Sequence, residues 1–137
     1  MAYILDTGFL YAALEDGEPQ HAAVINIIGG IREPIIFPVP AITEVCYLLM
    51  RQSGAAACAD FVAGLTKSPL TIETPLADDY RRAAEIIRQY ADARIDFVDA
   101  IIVAITERLN ITRVLTLDER DFRMFRPRHC AAFELLP

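Results

Sequence analysis

Residues 2–7 read Ala2-Tyr3-Ile4-Leu5-Asp6-Thr7, a short apolar run that ends in an acid and a hydroxyl. An unbroken apolar run of this length suits a strand buried on both faces. Asp6-Thr7 stands where a helix can start, and Phe9, Leu10, Ala13 and Leu14 follow at helical spacing. The arrangement returns near the other end of the chain. Arg113 to Leu117 is a second apolar strand, and Asp118 follows it directly.

The residues between repeat the alternation. A polar turn at Glu15 to Pro19 precedes a helical segment from His21 to Gly29, closed by Gly29-Gly30. Pro34 to Val39 reads as a strand, and Pro40 suits the start of a helix over Ala41 to Gln52. Ala55 to Leu65 reads as helix, Leu70 to Glu73 as strand. Ala77 to Ala91 is an amphipathic helix with Tyr80, Ala83, Ala84, Ile87 and Ala91 on its apolar face. Asp96 to Leu109 is a strongly apolar helix, and Ala131 to Leu135 a further strand candidate. Strands alternating with helices predict an α/β fold: a three-layer α/β/α sandwich around a mostly parallel sheet, one domain over residues 1–137.

On that layout the acids acquire positions. Asp6 and Asp118 follow strands. Glu44 and Asp99 lie near the amino termini of helices, and in a parallel α/β sheet those termini gather at the strands' carboxyl edge, where ligands bind. Four carboxylates at one edge repel one another unless a cation neutralises them. Oxygen ligands without histidine or cysteine suit Mg²⁺ or Mn²⁺ rather than zinc. Each acid also has a plain structural reading. Asp6 can cap a helix, Glu44 can complement a helix dipole, and Asp118 can open a turn before Glu119 to Phe122. Asp96 is expected to be the cap of its helix, leaving Asp99 as the ligand, and Asp121 is a secondary candidate.

These residues carry a resemblance. Tyr3-Ile4-Leu5-Asp6-Thr7, Ala41-Ile42-Thr43-Glu44-Val45, Phe97-Val98-Asp99-Ala100 and Val114-Leu115-Thr116-Leu117-Asp118 occur in the order of the motifs of PIN-domain ribonucleases, and the chain resembles the VapC-type toxins of that family. The resemblance implies a PIN-like α/β/α sandwich and a Mg²⁺- or Mn²⁺-dependent endoribonuclease acting on structured RNA, tRNA or rRNA. It implies Asp6 and Asp99 as direct metal ligands, and Glu44 and Asp118 as the acids that complete the catalytic site. Thr7 and Thr116 fall at positions that orient these acids, or serve simply as cap and strand threonines. The implied partners are an RNA substrate, a cognate antitoxin protein and a second copy of the chain in a homodimer. Tyr47, Leu48 and the alanine-rich stretch 55–63 are expected to pack the core, with part of that surface available to such a partner.

Composition narrows the alternatives. The 137 residues are 54% hydrophobic, which excludes intrinsic disorder, and no apolar run approaches the length of a membrane helix. Met1 to Thr7 lacks the basic region of a signal peptide, so a cytoplasmic location is expected. Cys46, Cys58 and Cys130 are too widely spaced for a metal pair and are expected to stay reduced; His21 and His129 are expected at the surface. The net charge of −6 argues against a passive nucleic-acid coat. Arginine is nonetheless concentrated late in the chain, and Arg120, Arg123, Arg126 and Arg128 are candidates for RNA contact around the acids, or else a solvated cluster paired with Glu119 and Asp121. Two other readings share the layout: a PIN-like module without catalysis, binding RNA or acting as a scaffold, and a phosphorylation-receiver domain. The second needs a lysine at a late strand end, and the single lysine, Lys67, precedes the third strand.

Overall fold

The computed structural model describes residues Met1–Pro137. Its strands are β1 (Tyr3–Leu5), β2 (Ile35–Pro38), β3 (Thr71–Glu73), β4 (Arg113–Leu115) and β5 (Glu134–Leu136). They form one sheet in the order β3-β2-β1-β4-β5, with every neighbouring pair parallel. Seven helices flank it: α1 (Thr7–Leu14), α2 (His21–Gly30), α3 (Val39–Gln52), α4 (Ala55–Gly64), α5 (Ala77–Gln89), α6 (Phe97–Leu109) and α7 (Glu119–Met124). None is long and apolar enough to cross a membrane.

The strand order explains where a site can form. From β1 the chain builds outward through β2 to β3, then returns to the other side of β1 to lay down β4 and β5. The sheet therefore changes direction between β1 and β4, and the crevice beyond their carboxyl ends is where open α/β sheets bind ligands. The chain elements expected there are Asp6 and the residues after Leu115.

Ile4, Leu5, Val114 and Leu115 are fully buried, as central parallel strands covered on both faces require. Helix α6 is buried from Val98 through Thr106, on all sides, so it reads as an apolar run with little amphipathic stripe. Asp99 is carried into the interior by that helix. Phe9, Phe37, Phe122 and Phe125 fill the larger gaps in the same apolar cluster.

Several boundaries move. Helix α3 starts at Val39, not Ala41, with Pro40 in its first turn, so Glu44 stands in the second turn. Strand β4 stops at Leu115, and Thr116 pairs once more by donating its N–H to the Leu136 carbonyl at 3.0 Å before the chain turns away. Strand β5 lies at Glu134–Leu136, shifted from the expected Ala131–Leu135.

Two expectations about packing are corrected. The buried face of α5 is Asp79, Ala83 and Ile86, whereas Tyr80 and Ile87 are exposed. A polar anchor sets that rotation: Arg108 Nε donates to Asp79 Oδ2 at 2.9 Å, and Asp79 in turn accepts from the Leu76 N–H at 2.8 Å. The alanine-rich helix α4 buries none of its residues, and Tyr47 is 61% exposed. Small alanine side chains do little to hold a helix against the core, and α4 instead forms one wall of an apolar groove of about 440 Å³ lined by Leu10, Leu14, Leu49, Phe61, Leu65 and Leu70.

Candidate metal centre

Asp6 immediately follows β1 and begins α1. Its Oδ1 accepts from the Thr7 N–H at 2.8 Å, and its Oδ2 from the Thr116 hydroxyl at 2.8 Å. Thr116 is fully buried and also accepts from the Asp118 N–H at 2.9 Å. One hydroxyl therefore ties the end of β1 to the turn after β4. Thr7 does the equivalent across the site, its hydroxyl donating to Glu44 Oε1 at 2.6 Å. Asp96 caps α6 by accepting from the Asp99 N–H at 2.9 Å, and this leaves the Asp99 carboxylate uncommitted. Asp118 caps α7 through the Asp121 N–H at 3.2 Å.

Asp6, Glu44, Asp96, Asp99 and Asp118 line one cavity of about 400 Å³ together with Thr7, Gly8 and Leu117. Carboxylate oxygens of Asp99, Asp118 and Asp121 lie within 4.8 Å of one another. Asp121 thus joins the group through α7, where its spacing of three residues from Asp118 places it on the same side of the first turn. A second cavity of about 450 Å³ adjoins the first, sharing Leu117 and Asp118, and adds Gln20, Glu119, Arg120 and Pro137. Nothing in the sequence around Gln20 marked it as a neighbour of the acids.

The electrostatics follow from burial and crowding. Asp6 and Asp99 are both buried. Burial pushes the Asp6 pKa up to about 6, against the opposing hydrogen bonds from Thr116 and Thr7. Asp99 has no such donor, and burial, then the charges of Asp6, Asp96, Asp118 and Asp121, push it up to about 9. Burial also raises Glu44, and burial with the Asp118 charge raises Asp121. Each shift says that the negative form lacks a positive partner. The donors are all oxygens, with no histidine or thiol among them, which is the chemistry of a hard divalent cation such as Mg²⁺ or Mn²⁺.

The arginine candidates separate. Arg120 lines the adjoining cavity and is exposed. Arg123 is paired with Glu119 at 3.2 Å. Arg126 turns Nη1 back onto the carbonyls of Arg123 at 2.6 Å and Phe125 at 3.0 Å, closing the end of α7. Arg128 does not rim the acids. Its N–H donates to Glu107 at 2.8 Å and its Nη2 reaches Glu85 at 2.9 Å. Glu107 lies eight residues past Asp99, about 12 Å along α6. His21 and His129 are half-buried braces rather than surface residues. The His21 Nδ1 meets the Ala12 carbonyl at 2.7 Å and the His129 Nε2 the Ile111 carbonyl at 2.6 Å. The three cysteines are free.

The sheet order and the acid-lined crevice beyond the ends of β1 and β4 are those of a parallel α/β fold with a ligand site at its switch point, and a family model of the PIN domain matches residues 3–126. The chain belongs to the PIN-domain family. Ribonuclease VapC26 of Mycobacterium tuberculosis is 30% identical over 134 residues, which cover 98% of this chain and 99% of that protein. Among solved structures, the sarcin-ricin loop cleaving toxin VapC20 of Mycobacterium tuberculosis superposes with a TM-score of 0.80 at 21% identity, covering 86% of this chain and 91% of its own. VapBC2 of Rickettsia felis, bound to a DNA fragment from its promoter, superposes with a TM-score of 0.72 at 15% identity over 100% of both chains. The chain is thus a homologue of a VapC ribonuclease, and its fold is that of the VapC structures.

Proposed function

We propose that the protein is a Mg²⁺- or Mn²⁺-dependent endoribonuclease that cleaves structured cellular RNA, tRNA or rRNA, as the toxin of a toxin–antitoxin pair. The observation that carries this reading is the convergence of Asp6, Glu44, Asp99 and Asp118 on one cavity in a chain homologous to a VapC ribonuclease. Asp6 and Asp99 would hold the cation directly, with Glu44, Asp118 and Asp121 completing its surroundings. A divalent ion held by these acids would supply charge to polarise phosphate oxygens and to lower the pKa of a water it binds.

The chain's own residues prepare that site. Thr116 fixes the rotamer of Asp6 and, by accepting from the Asp118 N–H, sets the distance between the two acids. Thr7 holds Glu44 on the facing wall. Asp96 uses its own carboxylate on the α6 cap, so Asp99 is free to bind. Carboxylates must be unprotonated to ligate, so the proton that burial favours on Asp99 has to leave when a cation arrives.

The apolar groove walled by α4 supports a protein partner, because Phe61, Leu49 and Leu10 present an apolar lining with Glu15 and Asp60 at its margin. An antitoxin helix with apolar and basic residues suits it. A homodimer and a cytoplasmic location complete the reading.

Purified protein incubated with total RNA is expected to cleave only when Mg²⁺ or Mn²⁺ is present. Asp6→Asn and Asp99→Asn should each reduce cleavage to background while leaving the circular dichroism spectrum unchanged. Cleavage that persists in EDTA, or in both variants, overturns the mechanism.

A further inference from the structure

The cavity of about 450 Å³ beside the acids shares Leu117 and Asp118 with the acid cavity. Its volume is that of a cleft for a small ligand. Leu117 and Pro137 give it apolar surface, and its polar lining comes from two separate parts of the chain. Glu119 and Arg120 stand in the first turn of α7, directly after Asp118. Gln20 precedes α2 and reaches the same cavity. The Gln20 backbone is fixed, because its carbonyl accepts from the Val24 N–H at 3.0 Å and His21 beside it meets the Ala12 carbonyl at 2.7 Å. Its side-chain amide does not cap α2 and stays free.

The lining selects a kind of ligand. Asp118 and Glu119 stand against one guanidinium, Arg120, so a free anion is poorly served here. A nucleotide matches better, since it brings one phosphate for Arg120 and a base edge for the remaining groups. Glu119 can only accept, whereas the Gln20 amide both donates and accepts. Glu119 holds Arg123 through Oε2 at 3.2 Å, and each carboxylate oxygen has room for more than one bond, so the pair with Arg123 leaves acceptor sites open. A carboxylate that accepts two bonds from one base edge needs two adjacent donors. Guanine has them in N1–H and the N2 amine, with the O6 acceptor alongside. Adenine, cytosine and uracil each carry a single donor group on that edge.

We propose that this cavity holds a guanine nucleotide next to the phosphate at the acids, with Glu119 on the N1–H and N2 edge, Gln20 on O6 and Arg120 on the adjoining phosphate. This rests on the ribonuclease reading and adds a base preference at the cut. The shared wall of Leu117 and Asp118 sets the register, because a strand whose phosphate lies against Asp118 passes its neighbouring nucleotide into this cavity. The three residues select and position substrate and take no part in the bond-breaking step.

The test begins by mapping cut ends in total RNA with Mg²⁺, where a guanosine is expected beside the cut. A synthetic RNA spanning that cut then carries inosine in its place, which removes only the N2 amine. Inosine should raise KM about tenfold for the wild type, as loss of a paired base contact predicts. In Glu119→Gln the same replacement should have little effect, because the contact is already lost; a merely structural role for Glu119 would leave the inosine effect intact. Gln20→Ala should raise KM for the guanosine RNA about fivefold, the loss of one hydrogen bond, and should lower the preference for guanosine over adenosine at that position. Thermal melts should show that both variants keep the wild-type Tm. A cut with no guanosine beside it, or an inosine effect equal in wild type and Glu119→Gln, overturns the guanine subsite alone. Absence of RNA cleavage by the wild-type protein overturns the ribonuclease reading, and the subsite with it.

Discussion

Asp99, a proposed metal ligand, shows how far an acid can depart from what a fold prefers. It is buried, it faces four other carboxylates, and its raised pKa of about 9 compares with roughly 3.9 for an aspartate in an unfolded chain. In the metal-free protein the folded state therefore keeps a proton that the unfolded state has released. Above about pH 4 the unfolded state binds fewer protons, so stability falls as pH rises, continuing until Asp99 ionises near pH 9. Asp6 contributes in the same direction over a narrower range, up to its value of about 6. Between pH 6 and 8 the slope should belong mainly to Asp99 and amount to about 1 kcal/mol per pH unit. Urea denaturation in EDTA checks this: the wild type should lose stability over that interval, and Asp99→Asn should be nearly flat and more stable at pH 8. A flat wild-type profile sinks the account. Adding Mg²⁺ should stabilise the wild type more at pH 8 than at pH 6, because protons compete with the cation for the same oxygens. The position of Asp99 was legible in the sequence because Asp96 offers itself as the cap three residues earlier. Its isolation from any donor was not, since that depends on Thr116 and Thr7 choosing Asp6 and Glu44 instead.

At the scale of elements, α5 and α6 show which packing can be read from a pattern and which cannot. The apolar stretch of α6 announces burial, and burial is found along nine consecutive residues, Val98 to Thr106. In α5 the apolar residues Tyr80 and Ile87 suggest an inward face, yet the helix turns Asp79 inward. Counting apolar residues favours one rotation, and an ion pair with a residue 29 positions away decides another. Arg108 reaches both Asp79 at 2.9 Å and Glu73 at 2.8 Å, so it clamps the end of β3 and the first turn of α5 to the last turn of α6. Because Asp79 is almost wholly buried, removing it leaves the Arg108 guanidinium short of its inner partner. Asp79→Ala should cost about 3 kcal/mol, the range for breaking a buried pair from one side. Glu73→Ala, at the more exposed end of the same arginine, should cost under about 1 kcal/mol. Thermal melts of the two variants give the comparison, and equal losses would show that the clamp is not polarised in this way. Helix α4 is the opposite case. Its alanines look like core from composition, but the sheet is already covered, so the helix is left to wall the groove beside Phe61.

For the whole molecule, the question is how a chain of net charge −6 would hold the polyanion that the proposed function requires. The sequence placed four acids at one sheet edge through the rule that parallel strands end where helices begin, and the strand order β3-β2-β1-β4-β5 puts that edge at the switch between β1 and β4. It did not show how the arginines are spent, because their partners come from other elements: Arg128 on Glu85, Arg113 on Glu134, Arg82 on Glu107. Arg120, which has no carboxylate partner, lines the cavity that adjoins the acids. Each phosphate contact adds about 0.7 to the log–log salt slope for a single strand, so one or two contacts give a slope near 1. Raising KCl from 50 to 200 mM at fixed Mg²⁺ should therefore raise KM for RNA by less than about tenfold. Arg120→Ala should weaken binding and flatten the slope further, whereas Arg128→Ala should change neither. A hundredfold loss over the same salt range would mean that many cations meet the backbone, and that the ion pairs at Glu85, Glu107 and Glu119 open when RNA binds. A shallow slope would mean instead that the enzyme meets its substrate chiefly through bound cation, a single arginine and uncharged contact.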